Sequence, residues 1–234
     1  MSRSGVDLGP LGLRYSHAGI SLRQGPPSPW AVRQLYYACD ESRPRLFDQG
    51  LAAFVLAADE SPVLHVSLLL LPPGAEQALE AAALDTATAL ALLGGRYNAA
   101  AYPFDGRYQN CNQWLAELLA VAQGASPSRG AAQAWLPASG YRGQRLEPPP
   151  WMFLAAPFVP LLHLDDQPPD ALGAGRVETS LPASIEAWLR ERVPGLRRVE
   201  LCHDRRHIVV REGWQPLDEA CEGNITDRRI AFVH

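Results

Sequence analysis

Residues 108–119 constrain the fold more than any other segment of the sequence. A polar loop over residues 108–110 leads into a predicted helix over residues 111–122, and Cys111 is the first residue of that helix. Its apolar residues recur at helical spacing: Trp114, Leu115, Leu118 and Leu119. Because a helix with one apolar face must bury that face against other elements, we expect Cys111 to lie where this helix meets a core.

The composition is that of a globular protein and excludes several functions. The 234 residues are 47% hydrophobic and 20% charged, which is enough for one domain with an ordinary core. The net charge of -4 argues against nucleic acid as a partner. All 21 basic residues are Arg, which rules out a lysine nucleophile or Schiff base. No apolar run reaches the roughly 18 residues that a transmembrane segment needs.

The hydrophobic pattern predicts an α+β fold. Residues 13–23 and 30–37 alternate like two strands of a hairpin, with a Pro/Gly turn over residues 24–29. The other predicted elements are helices over residues 43–56, 77–93, 131–138 and 184–193, and strands over residues 63–71, 198–203, 207–211 and 230–233. We divide the chain into a core over residues 1–146 and an extension over residues 147–234, packed together as one globular unit.

Residues 147–169 begin the extension and are rich in proline and bulky apolar side chains. The segment is too hydrophobic for a solvated linker. It therefore predicts an ordered flap packed on the core, or an apolar contact surface.

Cys111 is the candidate nucleophile. At the first turn of a helix, the dipole and the unpaired N–H groups favour thiolate over thiol. The same N–H groups can hold the oxyanion of a tetrahedral intermediate. The alternative is a buried, inert cysteine, which is the commoner environment of this residue type.

A cysteine nucleophile needs a base, and His17 is the candidate. It lies within a predicted strand, and the small residues Ala18 and Gly19 that follow it leave room for a substrate or a facing helix. His163 adjoins two aspartates, but no second histidine lies at ligand spacing, so we predict no metal. The remaining histidines indicate a packed core, a turn or the end of the chain: His65, His203, His207 and His234.

Two short motifs resemble a known class of cysteine hydrolases. Residues 16–20 (Ser-His-Ala-Gly-Ile), followed by residues 110–114 (Asn-Cys-Asn-Gln-Trp), resemble the circularly permuted branch of the papain-like, NlpC-type hydrolases, which includes lecithin retinol acyltransferase and its relatives. The Tyr-Asn pair at residues 97–98 is also similar to that branch. Residues 33–50 and 107–120 more closely resemble an uncharacterised family of exported proteobacterial proteins, defined only as a domain of unknown function.

The resemblance implies a fold, an activity and a location. The core over residues 1–146 would be a permuted papain-like arrangement of antiparallel sheet and helices, followed by a β-containing extension. The expected reaction is hydrolysis or acyl transfer at an amide or ester, with no metal or organic cofactor. The expected substrates are cell-wall peptides, other amides or lipid esters, and the apolar residues 151–164 would suit the acyl chain of a small substrate equally well. Exported relatives favour a periplasmic protein. The sequence by itself is equally compatible with a cytoplasmic one.

The family pattern also expects a third polar residue that orients the histidine. If Arg23 pairs with Trp30, His17 falls opposite Tyr36, and Gln34 points to the same face two residues away. We therefore predict Gln34 as the orienting residue. Tyr36 and Asp40 are the alternatives, because a shift of one residue in the register reverses the facing side.

The oxyanion can be held by backbone N–H groups alone, and three side chains are further candidates. They are Asn110, Tyr97 and Tyr108, which we predict to bind the oxyanion or to position the substrate.

Cys202 and Cys221 flank an apparent hairpin, so the sequence allows a disulfide between them in an exported protein. Two separate buried thiols are the alternative.

Two further functions remain open at this point. The first is a binding or scaffold protein that keeps the fold without catalysis. The second is redox sensing, with Cys39 resolving an oxidised Cys111. No sequence feature determines the oligomeric state.

Overall fold

The computed structural model describes residues 1–5, 8–24, 29–56, 63–204 and 206–231. Eleven strands lie within these ranges: β1 (Ser2–Arg3), β2 (His17–Ala18), β3 (Ile20–Leu22), β4 (Ala31–Ala38), β5 (Arg43–Gln49), β6 (Leu64–Leu70), β7 (Gln144–Leu146), β8 (Val177–Thr179), β9 (Arg197–His203), β10 (His207–Glu212) and β11 (Arg228–Ala231). The same ranges hold eight α-helices: α1 (Leu51–Leu56), α2 (Pro73–Leu84), α3 (Thr86–Ala91), α4 (Cys111–Ala122), α5 (Arg129–Ala138), α6 (Pro150–Ala155), α7 (Pro169–Gly173) and α8 (Pro182–Arg192).

The strands form three antiparallel sheets. The largest has the order β11-β10-β9-β6-β1-β2, the second is β3-β4-β5, and the third pairs β7 with β8. The predicted α+β class is therefore confirmed. The C-terminal strands β9, β10 and β11 extend the sheet that β1, β2 and β6 begin, so the last third of the chain completes the sheet of the first.

The strand predicted over residues 13–23 is divided between two sheets at Gly19. His17 in β2 pairs with Arg3 in the large sheet, whereas β3 pairs with β4 in the second sheet. A Cβ at Gly19 would lie 2.7 Å from Val32 Cγ1 and 3.0 Å from the Arg33 carbonyl oxygen. Only glycine permits this close approach of the chains. Gly19 therefore lets the chain pass from one sheet to the other, so that His17 lies outside the hairpin.

The register predicted for the hairpin is right within β3 and β4. Leu22 faces Ala31 and Ile20 faces Arg33, the register that pairing of Arg23 with Trp30 requires. The prediction that His17 continues the hairpin opposite Tyr36 is wrong, because β2 has joined the other sheet. The His17 ring nevertheless stacks on Tyr36, with ring centroids 4.8 Å apart.

Two predicted helices are interrupted. The helix expected over residues 43–56 begins as strand β5, because Arg43–Gln49 supplies backbone partners for one side of β4. Only α1 is helical there. The helix expected over residues 77–93 is broken at Asp85, whose extended backbone ends α2 and whose carboxylate caps α3 by accepting from the Ala87 and Thr88 N–H groups.

Helix α4 is the centre of the core, and its bounds match the predicted range of 111–122. Every residue from Cys111 to Ala120 is buried, on all sides of the helix and not only on the predicted apolar face. Helices α2 and α5 pack against α4, as do strands β2 and β4. A buried polar helix face requires partners from its own chain, and the first turn of α4 lies at the candidate site.

Candidate active site

Asn110 fixes the start of α4. Its Oδ1 accepts a hydrogen bond from the Gln113 backbone N–H at 2.7 Å, which caps the helix. Its Nδ2 donates to Thr179 Oγ1 at 2.9 Å and to the Ser180 carbonyl at 3.1 Å. Because both ends of this amide are engaged within the protein, Asn110 holds the helix in place and has no spare donor for an oxyanion.

Cys111 is buried at the first position of α4. Burial raises the pKa of its thiol to about 11, against the opposing effects of the Asn112 and Cys111 backbone N–H groups and of the Tyr97 hydroxyl. The helix terminus therefore favours the thiolate, as the sequence predicts, but removal from water outweighs it. With this pKa the Cys111 thiol is neutral at neutral pH.

His17 is held by a chain of two glutamine side chains. Gln34 Nε2 donates to Gln49 Oε1 at 2.6 Å, so the Gln34 amide turns its Oε1 toward His17. The distance from His17 Nε2 to that oxygen is 2.7 Å. With the amides in this orientation His17 Nε2 donates the hydrogen bond, which leaves the lone pair of the neutral ring on Nδ1.

The surroundings of His17 keep the ring neutral. Burial lowers its pKa to about 4; the Gln34 hydrogen bond raises the pKa, and the Arg3 charge lowers it. At neutral pH the imidazole is thus available as a base. The two orienting candidates that competed with Gln34 lie elsewhere: Tyr36 stacks on the ring face, and Asp40 is exposed in the turn after β4.

Cys111 and His17 line one cavity of about 590 Å³. Asn112 joins the elements that carry them, because its Nδ2 donates to the Ser16 carbonyl at 3.0 Å. Tyr97 also lines this cavity, and its hydroxyl acts to lower the pKa of the Cys111 thiol. The structure therefore brings the predicted nucleophile, its predicted base and one predicted oxyanion donor to the same cavity.

The polar residues that line this cavity are together called the polar cluster below, and several of them hydrogen-bond to one another. Tyr36 accepts a hydrogen bond from Arg3, and Thr179 accepts one from Asn110. The members of the polar cluster are Arg3, Ser16, His17, Tyr36, Tyr97, Asn110, Cys111, Asn112 and Thr179.

Tyr97 and Tyr108, predicted together, have different positions. Tyr97 forms an isolated parallel bridge with Gln109, which sets its side chain beside Cys111. Tyr108 is buried but is outside the set of cavity-lining residues. Its hydroxyl accepts from Arg96 at 2.9 Å, and its ring stacks on His163 with centroids 4.8 Å apart. Tyr108 therefore stabilises the loop before Cys111 from outside the cavity.

Three residues of the site were not found from the sequence. Gln49 orients Gln34, and Arg3 is a buried cation in the polar cluster. Asn112 is almost wholly buried, and its Oδ1 has no hydrogen-bond partner among the described residues. The position of Asn112 next to Cys111 is a local signal that could have found it, whereas Arg3 and Gln49 reach the site only through strand pairing.

The remaining cysteines lie apart from the cavity. Cys202 of β9 is joined to Cys221 by a disulfide. Both residues belong to a small buried cluster with Val209 and Leu217. Cys39 is an exposed free thiol, whereas Cys111 is a buried one. A resolving role for Cys39 would require the two thiols to meet, which would take a change in the exposure of Cys111.

Two kinds of site are missing from the described ranges. No cluster of three or more His, Cys, Asp or Glu side chains there could hold a metal ion. No helix within those ranges combines the length and the apolar character needed to cross a bilayer.

Comparison with known proteins points to one family. No curated protein and no solved structure matches the chain. Residues 1–189 match a family described as an uncharacterized protein conserved in bacteria (DUF2145), and these residues include β1 to β8, helices α1 to α7, most of α8 and the whole polar cluster. The chain therefore belongs to this bacterial family.

Proposed function

We propose that this protein is a cysteine hydrolase or acyltransferase that acts on an amide or ester through an acyl-enzyme on Cys111. The observation that carries the proposal is the hydrogen-bond chain from Gln49 through Gln34 to His17. It leaves the basic Nδ1 of a neutral imidazole without a Gln34 contact, in a cavity that also contains the thiol at a helix N-terminus.

The proposed reaction begins when the Cys111 thiol attacks the substrate carbonyl and His17 Nδ1 takes its proton. The S–C bond forms, and the oxyanion is held by the Cys111 and Asn112 N–H groups with the Tyr97 hydroxyl. Collapse breaks the C–N or C–O bond, and the imidazolium returns its proton to the leaving group. Water, or another hydroxyl or amine, then attacks the thioester with His17 again acting as base.

The proposal includes a fold relationship and a location. The histidine strand before the nucleophile helix, and a glutamine that orients the imidazole, support a permuted papain-like, NlpC-type core. The Cys202–Cys221 disulfide supports an oxidising compartment such as the periplasm, where cell-wall peptides are a candidate substrate. Fractionation of a bacterium that produces the protein tests the location, and recovery in the cytoplasm alone would contradict it.

The competing function is a binding or scaffold protein that has lost catalysis. Its supporting observation is the raised pKa of the buried Cys111 thiol. A scaffold would retain the cavity but would not form an acyl-enzyme, so the two functions differ in covalent chemistry.

The deciding experiment measures acylation of the protein by p-nitrophenyl acetate, with p-nitrophenol release as the rate and intact mass as the stoichiometry. We expect one acyl group on Cys111, none on Cys111→Ala, and a rate about 100- to 10,000-fold lower for His17→Ala. Cys39→Ala is the matched control, because it removes the exposed free thiol and should behave like the wild type. Equal rates for the wild type and His17→Ala would refute the proposal and leave the scaffold function.

A further inference from the structure

The cavity beside Cys111 has a second section whose chemistry differs from that of the polar cluster. This section, called the apolar wall below, consists mainly of Leu146, Met152, Phe153, Leu162, Leu164 and Val177. The lining residues outside the polar cluster carry no hydrogen-bonding side chain. A molecule bound here would therefore have a polar reacting end and an extended apolar remainder.

The apolar wall is built by ordered segments. Helix α6 supplies Met152 and Phe153, and the chain that follows it returns along the loop containing Asn98. Asn98 Nδ2 donates to the His163 carbonyl at 2.8 Å, and Asn98 Oδ1 accepts from the His163 N–H at 3.0 Å. The Ala99 N–H donates to the Leu161 carbonyl at 2.8 Å. These contacts fasten Leu162 and Leu164 in the wall next to the nucleophile loop.

On this basis we propose that the substrate carries a long unbranched acyl chain, which fills the apolar wall while its carbonyl carbon lies at Cys111 Sγ. A peptide in that section would bury N–H and C=O groups without partners, which is costly. Each methylene removed from water instead improves affinity by about fourfold. A cavity of about 590 Å³ is within the size range of small-molecule sites.

This inference rests on the proposed function for its chemistry and adds the substrate class. The acyl group moves from an ester or amide to Cys111 as a thioester, and the alcohol or amine leaves with the proton returned by His17. Water then releases a fatty acid, or an acceptor hydroxyl or amine takes the chain. Asn112 Oδ1, the buried acceptor without a described partner, is available to an N–H or O–H at the polar end.

The chain-length test uses p-nitrophenyl esters from acetyl to decanoyl, each below its micelle concentration. We expect the second-order rate of Cys111 acylation to rise by about fourfold per methylene until the cavity is full. Met152→Gln should reduce the ratio of the decanoyl rate to the acetyl rate at least about tenfold, since it places an amide in the apolar wall.

Leu154→Gln is the matched control for Met152→Gln, because the same polar change is made on the same helix. Leu154 is 78% exposed and does not belong to the apolar wall, so its chain-length profile should equal that of the wild type. Ala156→Leu, which adds bulk at a buried cavity position, should move the preferred chain to a shorter length. A flat profile in the wild type, or equal profiles for Met152→Gln and Leu154→Gln, would overturn the inference.

A binding experiment separates this inference from the proposed reaction. The fluorescent fatty acid cis-parinaric acid is titrated into Cys111→Ala, and into Cys111→Ala combined with Met152→Gln or with Leu154→Gln. Saturable binding weakened only by Met152→Gln supports the acyl-chain site even if no ester acylates the wild type, in which case the proposed function fails. Acylation by the acetyl ester with a flat profile and no fatty-acid binding would retain the function and refute the inference.

Discussion

Helix α4 carries two buried polar regions that differ in one decisive respect. In the first turn, Cys111 adjoins a cavity that His17 of β2 also lines. Further along the helix, the fully buried Glu117 accepts hydrogen bonds from Gln109 Nε2 at 2.6 Å and Gln133 Nε2 at 3.1 Å. Arg129 Nε lies 3.3 Å from the same carboxylate. The Glu117 carboxylate is enclosed by donors of its own chain.

Both regions contain groups with displaced pKa values. Burial raises the pKa of Glu117 to about 7, against the lowering effect of Arg129. Such a value would suit a general acid or base, yet Glu117 is outside the cavity-lining residues. The difference shows that a shifted pKa identifies buried ionisable groups, and that access to a cavity separates those that can meet a substrate from those that support the fold.

The largest expected effect comes from Glu117→Leu. Removing the carboxylate leaves Arg129, Gln109 and Gln133 without their acceptor, and we expect the free energy of unfolding to fall by about 3–5 kcal/mol. Cys111→Ser changes one atom at the cavity and should alter the same quantity by about 1 kcal/mol or less. Urea unfolding of the three proteins measures both values. A loss in Cys111→Ser as large as that in Glu117→Leu would show that Cys111 is structural.

Local patterns predicted the parts of the site that depend on short segments. The capping residue Asn110 and the apolar spacing after it are sufficient to place α4 over Cys111–Ala122. The alternation of apolar and polar residues on either side of the turn was sufficient to predict the β3–β4 register. Gln34 follows from the same alternation, since its side chain reaches His17 although the two strands are not paired at that point.

Pairings between distant segments could not be predicted in the same way. The division of the first hairpin strand at Gly19 depends on strands that the local sequence does not show. Strand β1 pairs with β2 on one side and with β6 on the other, and so places β2 in the large sheet. Arg3 enters the polar cluster through that pairing alone. The sequence of β5 is typical of the start of a helix, and it forms a strand because it pairs with the edge of β4. Each case requires the position of an element far away in the sequence.

A smaller effect is expected from Gln34, which is buried like Glu117 but hydrogen-bonds to His17, the proposed base. Gln34→Ala leaves His17 Nε2–H without its acceptor, and we expect the acylation rate to fall about ten- to a hundredfold. Gln34→Glu places a negative charge at 2.7 Å from the ring nitrogen. It should raise the pKa of His17 and move the acid limb of the pH–rate profile to higher pH.

The pH–rate profile distinguishes a change in the pKa of His17 from a general packing defect. Gln24→Ala changes an exposed glutamine of the same hairpin and should retain the wild-type rate and acid limb. If Gln34→Glu lowered the rate without moving the limb, Gln34 would act only through packing.

The most gradual expected change is a pH dependence of stability due to Glu117. Its folded pKa of about 7 lies above the ordinary value of 4.5, so the folded state binds more protons between these two values than the unfolded state does. The contribution of Glu117 to the free energy of unfolding is therefore highest at low pH and falls as the pH rises through this window. The slope is at most about 1.4 kcal/mol per pH unit for one group.

Glu117→Gln isolates this contribution, because an amide keeps the size of the side chain and does not titrate. Urea unfolding at several pH values from below 4.5 to above 7 should give a wild-type stability that declines relative to Glu117→Gln within the window and runs parallel outside it. The subtraction cancels the other buried groups with displaced pKa values, such as Asp166 and Glu186. A difference that instead grows with pH would mean that Arg129 outweighs burial and that Glu117 is a permanently charged partner.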